Sequence, residues 1–264
     1  MTSISSGPAR GVAVALARVD GRHLLKSPLF LAGLGVAMLG TAVFVLGALT
    51  DDATTWSNDA WTIGAGFILA AVFAMLAVNR TSLRDHREHT DEQHGSLPTN
   101  QTQRLAGMFG AVLWPATVST LLLGVVVVFA STQVDVPAIT IVHVLHNAAL
   151  FLMLGAVGLA LAAWVPSSFA APVVAFALYF IHPGETPAAW HVIWPFATLG
   201  TVGLAMWHIL YLLGLALLLL ATAATRWERG RGQAIVFLGS AATVATSLTV
   251  LINGACSQAG PCLL

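Results

Sequence analysis

The chain divides into long apolar blocks separated by shorter polar ones. Uncharged apolar runs cover Leu29 to Leu49, Trp61 to Val78, Leu105 to about Ala130, Ala138 to Val165, Phe169 to Ile181, Ala205 to Thr225 and Ala234 to Ile252. At 1.5 Å per residue, about 20 residues in a helix cross the hydrocarbon core of a bilayer. The pattern therefore predicts an all-α integral membrane protein with six to seven transmembrane helices. The run Phe169 to Ile181 is barely long enough to cross, even with its polar flanks. Residues 183–204 follow, with three prolines, Trp190, Trp194 and His191. That mixture predicts short re-entrant helices before the sixth span, buried against other spans, because irregular backbone at membrane depth must be covered by protein.

Ahead of the first run, residues 1–27 predict a polar tail and an interfacial elbow helix; residues 28–264 form a single transmembrane domain. Val12, Leu16 and Val19 recur at helical spacing, while Arg18, Arg22 and Lys26 step along another face at intervals of four. Such a helix lies with its basic side toward lipid phosphates and its apolar side toward acyl chains. Asp20 falls near the apolar stripe. Ser27-Pro28 punctuates the chain, since proline is tolerated at the first position of a new helix.

The polar run from Asn79 to Arg104 organises the rest. It contains Arg80, Arg84, Arg87, Arg104, Asp85, Glu88, Asp91 and Glu92, whereas the apolar runs on either side carry no charge. A bare charge at the bilayer centre costs about 2.5–3.5 kcal/mol on insertion scales, so the run is expected to be a loop in water. Its arginines place it on the cytoplasmic side, and its length suits a docking surface for a soluble partner.

Composition agrees with the block pattern: 57% of residues are hydrophobic and 8% charged, with a mean hydropathy of +0.84. Soluble domains carry about 25% charged residues. Charge adds an orientation. With the spans above, all eleven Lys and Arg fall on one side, and the other side holds only the acids Asp51, Asp52, Asp59, Asp135 and Glu185. That is the positive-inside distribution. It predicts a multi-pass protein of the cell inner or plasma membrane, with a cytoplasmic amino terminus and an external carboxyl terminus. No basic or acidic tail points to nucleic acid.

Cys256 and Cys262 stand six apart near the end, with Gly260-Pro261 between them. In an external, oxidising setting they are candidates for a disulfide; otherwise they are two terminal thiols. His143 and His146, three residues apart on one helical face, are weak candidates for a metal site, with His182, His191 and His208 in the same outer region. No H-E-x-x-H, C-x-x-C or carboxylate accompanies them, and intramembrane histidines are more commonly hydrogen-bonded core residues. Gly155, Gly158 and Ala162 form a small-residue strip that would let another helix approach closely. No G-x-x-x-x-G-K-[ST] phosphate loop occurs, so any ATP-driven step needs a partner.

The segment RVDGRHLLKSP, Arg18 to Pro28, resembles the elbow helix before the first span of ABC-2 type permeases, the membrane subunits of one class of ABC transporter. RDHREHTDEQHGSLPTNQTQRLAG, Arg84 to Gly107, is similar to their first cytoplasmic loop, and WHILYLLGLALL, Trp207 to Leu218, resembles the sixth span of actinobacterial members. The resemblance covers about the first 225 residues. It implies that loop 80–104 couples to the ATPase, through Arg84, Arg87, Thr90, Asp91, Glu92, Leu97, Pro98 and Arg104, and that Arg18, Arg22, Lys26 and Pro28 form the elbow. It further implies re-entrant helices before the sixth span, two copies of a separate ATPase carrying ATP and Mg, and a second permease copy or a related permease. The extra span 234–252 departs from a six-span permease.

The expected function is thus the permease subunit of an ATP-driven exporter, not itself an enzyme. The near-absence of charge in the spans favours a lipophilic or amphipathic permeant. Two other readings compete: a metal-handling membrane protein using the outer histidines and cysteines, and an accessory membrane subunit.

Overall fold

The computed structural model describes residues 7–50, 56–87, 101–132, 139–180, 202–226 and 230–259. They form helices α1 (Gly7–Leu25), α2 (Pro28–Thr50), α3 (Trp56–Arg87), α4 (Gln101–Ala130), α5 (Ile139–Trp164), α6 (Ala170–Phe180), α7 (Val202–Ala224) and α8 (Arg231–Ala259). The described residues are helical with no strand, as their apolar composition demands: a backbone in lipid must satisfy its own hydrogen bonds. Among the described residues five helices are long and apolar enough to cross a membrane, and the bent pair Gly11–Leu25 with Pro28–Val43 makes up to six.

The pair α1–α2 bends by 57°. Lys26 and Ser27 still donate to Arg22 and Leu24 carbonyls as α1 closes, and the Ser27 carbonyl then accepts from Leu31 as α2 opens. Pro28 occupies the first position of α2, where its missing N–H has no intrahelical acceptor to satisfy.

Helix α5 is the hub of the bundle, packing against α3, α4 and α7, while α2 packs on α3, α8 on α7 and α1 on α4. Small residues set these approaches. A Cβ on Gly155 would lie 2.6 Å from Val112 Cγ1, and one on Gly158 would lie 2.7 Å from the Met75 carbonyl oxygen. The strip expected on this helix is therefore occupied by α4 and α3. Gly33 meets Phe73, Gly66 meets Ala37, and Gly214 meets Val244 in the same manner.

Helix directions follow from these contacts. The carboxyl ends of α5 and α7 lie together, where Trp164 Nε1 donates to the Thr222 carbonyl at 3.2 Å and the Arg226 guanidinium donates to the Ala163 carbonyl. Parallel neighbours require the chain to travel back between Trp164 and Val202, and α6 is the described part of that return. At 11 residues, α6 is about 16 Å long and does not cross a 30 Å core by itself.

Two expectations need correction. The polar run 79–104 is not loop throughout: α3 continues to Arg87 and α4 begins at Gln101. Asn79 and Leu83, one turn apart, face inward and are buried, while Arg80 and Arg84 face outward and are exposed. The helix thus extends past the apolar run with Arg80 and Arg84 in solvent. The elbow expectation is narrowed as well: α1 seats on α4 through Ala13, Leu16, Ala17 and Gly21, so only part of its apolar side, Val14 and Val19 among it, is more than half exposed.

Candidate functional site

The face where α1 meets the ends of α3 and α4 gathers the residues that the sequence singled out. Helix α1 seats on α4 through small residues on both sides: Ala13 and Leu16 against Gly107, Ala17 against Gly110, and Gly21 against the Trp114 indole, which a Cβ there would overlap. Leu24 is buried in the apolar cluster that also contains Leu105, Val112, Ala160 and Ala223. Arg18, Arg22 and Lys26 occupy the opposite, exposed face, as their four-residue spacing predicts.

Asp20 sits between these two faces. Burial pushes its carboxyl above the usual carboxylate value, and the attraction of Arg104, then His23, then Arg84 opposes that rise. Arg84 stands near the end of α3 and Arg104 near the start of α4. One carboxylate on the elbow is therefore within electrostatic reach of arginines on both helices that border residues 88–100. The imperfection in the apolar stripe is the point where the elbow meets the polar run.

Arg226 holds a neighbouring corner. Besides its bond to Ala163 O, its guanidinium carbon lies 5.9 Å from the Trp164 ring centroid, a cation–π distance. A cation donating to the last carbonyls of α5 also complements the negative end of that helix.

A second polar set lies deeper. Helix α5 makes a buried polar contact with each of the three long helices around it. Gly158 O accepts from Asn79 Nδ2 of α3 at 3.0 Å. Asn147 Nδ2 donates to Ser119 Oγ and Thr120 Oγ1 of α4, both at 3.3 Å. His146 Nε2 and His208 Nδ1 of α7 are 2.9 Å apart. Interhelical hydrogen bonds in membranes average about 0.6 kcal/mol, so these fix orientation more than they add stability.

Of the residues named from sequence, Arg84 and Arg104 come together with the elbow. Arg87 ends α3, its side chain outside the described residues, and Thr90, Asp91, Glu92, Leu97 and Pro98 also lie outside them, as do residues 183–201 and Cys262. Cys256 is on the last turns of α8, its side chain not described, and the same holds for the His143 side chain. Among the described residues no group of three or more His, Cys, Asp or Glu could hold a metal ion. The sequence did not reveal the roles of Asp20, Asn79 and Trp114, or the pairing of His146 with His208. A charge on an otherwise apolar helical stripe was the one available signal for Asp20.

No protein-family model, curated protein or solved structure matches this chain. Its reading rests on its own residues and geometry.

Proposed function

We propose that the chain is the membrane subunit of an ATP-driven exporter of the ABC-2 type, working as a dimer with two copies of a separate ATPase. The amino terminus and residues 80–104 then face the cytoplasm and the carboxyl terminus faces out, in the inner or plasma membrane. ATP and Mg bind the partner, whose closure moves the polar segment and the elbow together.

The observation that supports this reading is the elbow helix seated against α4 through Ala13, Leu16, Ala17 and Gly21, with Asp20 within electrostatic reach of Arg104 and Arg84 on the two helices that border the polar segment. A docking segment has to transmit force to the spans, and a charge shared by elbow, α3 and α4 gives it one body to push. The scarcity of charge along the spans supports a lipophilic or amphipathic permeant.

Copurification of the native chain with an ABC ATPase tests the reading. The complex should hydrolyse ATP faster in the presence of permeant. Glu92→Lys, a reversal outside any span, should leave insertion intact and abolish that stimulation. A chain that recovers no ATPase partner, or a Glu92→Lys complex indistinguishable from wild type, overturns the proposal.

A further inference from the structure

Among the described residues the bundle holds two apolar clusters, and α4 passes from one to the other at Pro115. Leu105, Ala111 and Val112 lie in the smaller cluster, at the end where α1 sits, whereas Ala116, Leu123 and Val126 lie in the larger. Other contacts of α4 divide at the same residue. Gly107, Gly110 and Trp114, on which α1 is seated, come before it, and Ser119 and Thr120, which hold Asn147 of α5, come after it. Pro115 lies inside the helix. It has no N–H to give to the Ala111 carbonyl and its ring crowds that carbonyl, so α4 bends more easily there than along the rest of its length.

The two clusters are packed differently. The larger is interlocked by bulky, fully buried side chains, Phe30, Phe67, Met75, Phe151 and Leu212 among them. None of the largest fully buried side chains belongs to the smaller cluster. Of the seven side chains that α3, α5 and α7 supply to it, five are alanines: Ala77, Ala160, Ala163, Ala223 and Ala224. Val112 likewise rides over Gly155, which offers no Cβ to lock it in place. Bulky interdigitating side chains resist displacement, since a shift forces them off their rotamers, whereas a surface of methyl groups lets a packed helix slide. Phe109, Leu219 and Leu220 touch both clusters but are only partly buried.

We infer that α1 and residues 101–114 of α4 form one movable unit, which pivots at Pro115 and slides over the alanine-rich ends of α3, α5 and α7. The rest of the bundle, with the larger cluster and the Asn147 bonds, is the frame. Ser27-Pro28 is the second pivot, where α1 and α2 meet at 57°. Helix α1 packs chiefly on α4 and little on α2 or α3, so rotation at Ser27-Pro28 breaks few contacts. Within the unit the parts cannot separate as easily: Gly21 lies so close to the Trp114 indole that a single added Cβ would overlap it. Such hinged and sliding motions are concentrated in a few residues that absorb the change in backbone angle. The motion is a property of the chain alone and does not depend on an ATPase docking to it.

The test is pulsed electron–electron double resonance on the full chain in lipid nanodiscs, without ATPase, in a Cys256→Ser, Cys262→Ser background. Labelled chains are diluted with unlabelled ones so that only distances within one chain are read. Spin labels go on the exposed positions Arg18, Ala106, Leu39 and Val125. The pairs Arg18–Val125 and Ala106–Val125 cross the Pro115 pivot, and Leu39–Val125 lies within the frame. Both crossing pairs should give broader distance distributions than the frame pair. Pro115→Ala, which restores the N–H, should narrow both to the width of the frame pair and leave that pair unchanged; Pro115→Val, closer in volume, should do the same if the alanine variant fails to fold. Equal widths for all three pairs with Pro115 present overturn the inference. A broad Arg18–Val125 distribution beside a narrow Ala106–Val125 one means that the elbow swings without α4, and a width that survives loss of the proline places the pivot elsewhere. Either result overturns it too.

Discussion

Gly158 and Gly35 both sit within membrane helices, yet a methyl group at each would meet opposite surroundings. At Gly158 it would stand 2.7 Å from the backbone oxygen of Met75, whereas at Gly35 nothing lies within 4 Å. A backbone carbonyl cannot rotate away as a side-chain tip can, so Gly158→Ala has to part α5 from α3 and lengthen the Asn79 hydrogen bond. Overpacking of this kind costs about 1–3 kcal/mol. Gly35→Ala should instead stabilise by about 0.5–1 kcal/mol, since glycine is the poorer residue in a helix interior. Thermal unfolding of the purified chain should move in opposite directions for the two variants. Equal midpoints would mean that α3 and α5 are not in contact at this point.

The elbow is seated as an element by small residues and carries one half-buried charge, and the two effects can be separated experimentally. Because burial raises the Asp20 pKa in the folded chain above the ordinary 3.8, the folded state binds that proton more tightly than the unfolded state does. The stability contributed is complete below 3.8 and is lost as pH rises through the raised value. Asp20→Asn imitates the protonated form. Its unfolding midpoint should match wild type at low pH and exceed it increasingly toward neutrality, while the link from elbow to α3 and α4 is weakened. A lower midpoint for Asp20→Asn at neutral pH would show that attraction by Arg104 outweighs burial. The positions of the elements were readable in advance, because each apolar run long enough to cross corresponds to a helix. Their ends were not. Helix α3 extends into the polar run because Asn79 finds an acceptor at Gly158 and Leu83 finds a buried site, and both depend on residues brought near by folding. The same holds for His208, 62 positions from His146: spacing along the chain carries no trace of a contact between two helices.

At the scale of the whole molecule, the parallel course of α5 and α7 decides how many times the chain passes from one end of the bundle to the other. Among the described residues up to six spans are long and apolar enough for a passage, and parallel α5 and α7 require one further return of the chain between Trp164 and Val202, which places the start of α4 and the end of α8 at opposite ends of the bundle. Topology reporters at Gln101 and Gln258 should therefore read from opposite sides, and on the proposed orientation Gln101 reads cytoplasmic and Gln258 external. Both reporting from one side would require α5 and α7 to be antiparallel, against the Trp164 and Arg226 contacts. The hub position of α5 also imposes an order of assembly during synthesis. When α5 emerges, Asn147 already has Ser119 and Thr120 waiting on α4, and the Gly158 carbonyl already has Asn79 on α3. His146 alone of these contacts looks forward along the chain. At a synthesis rate of about 5–20 residues per second, the 62 residues to His208 take about 3–12 s, during which α5 rests on its earlier neighbours with that imidazole still awaiting its partner. Arrival of α7 then closes the contact, so the histidine pair marks the moment at which the newborn bundle becomes complete around its central helix.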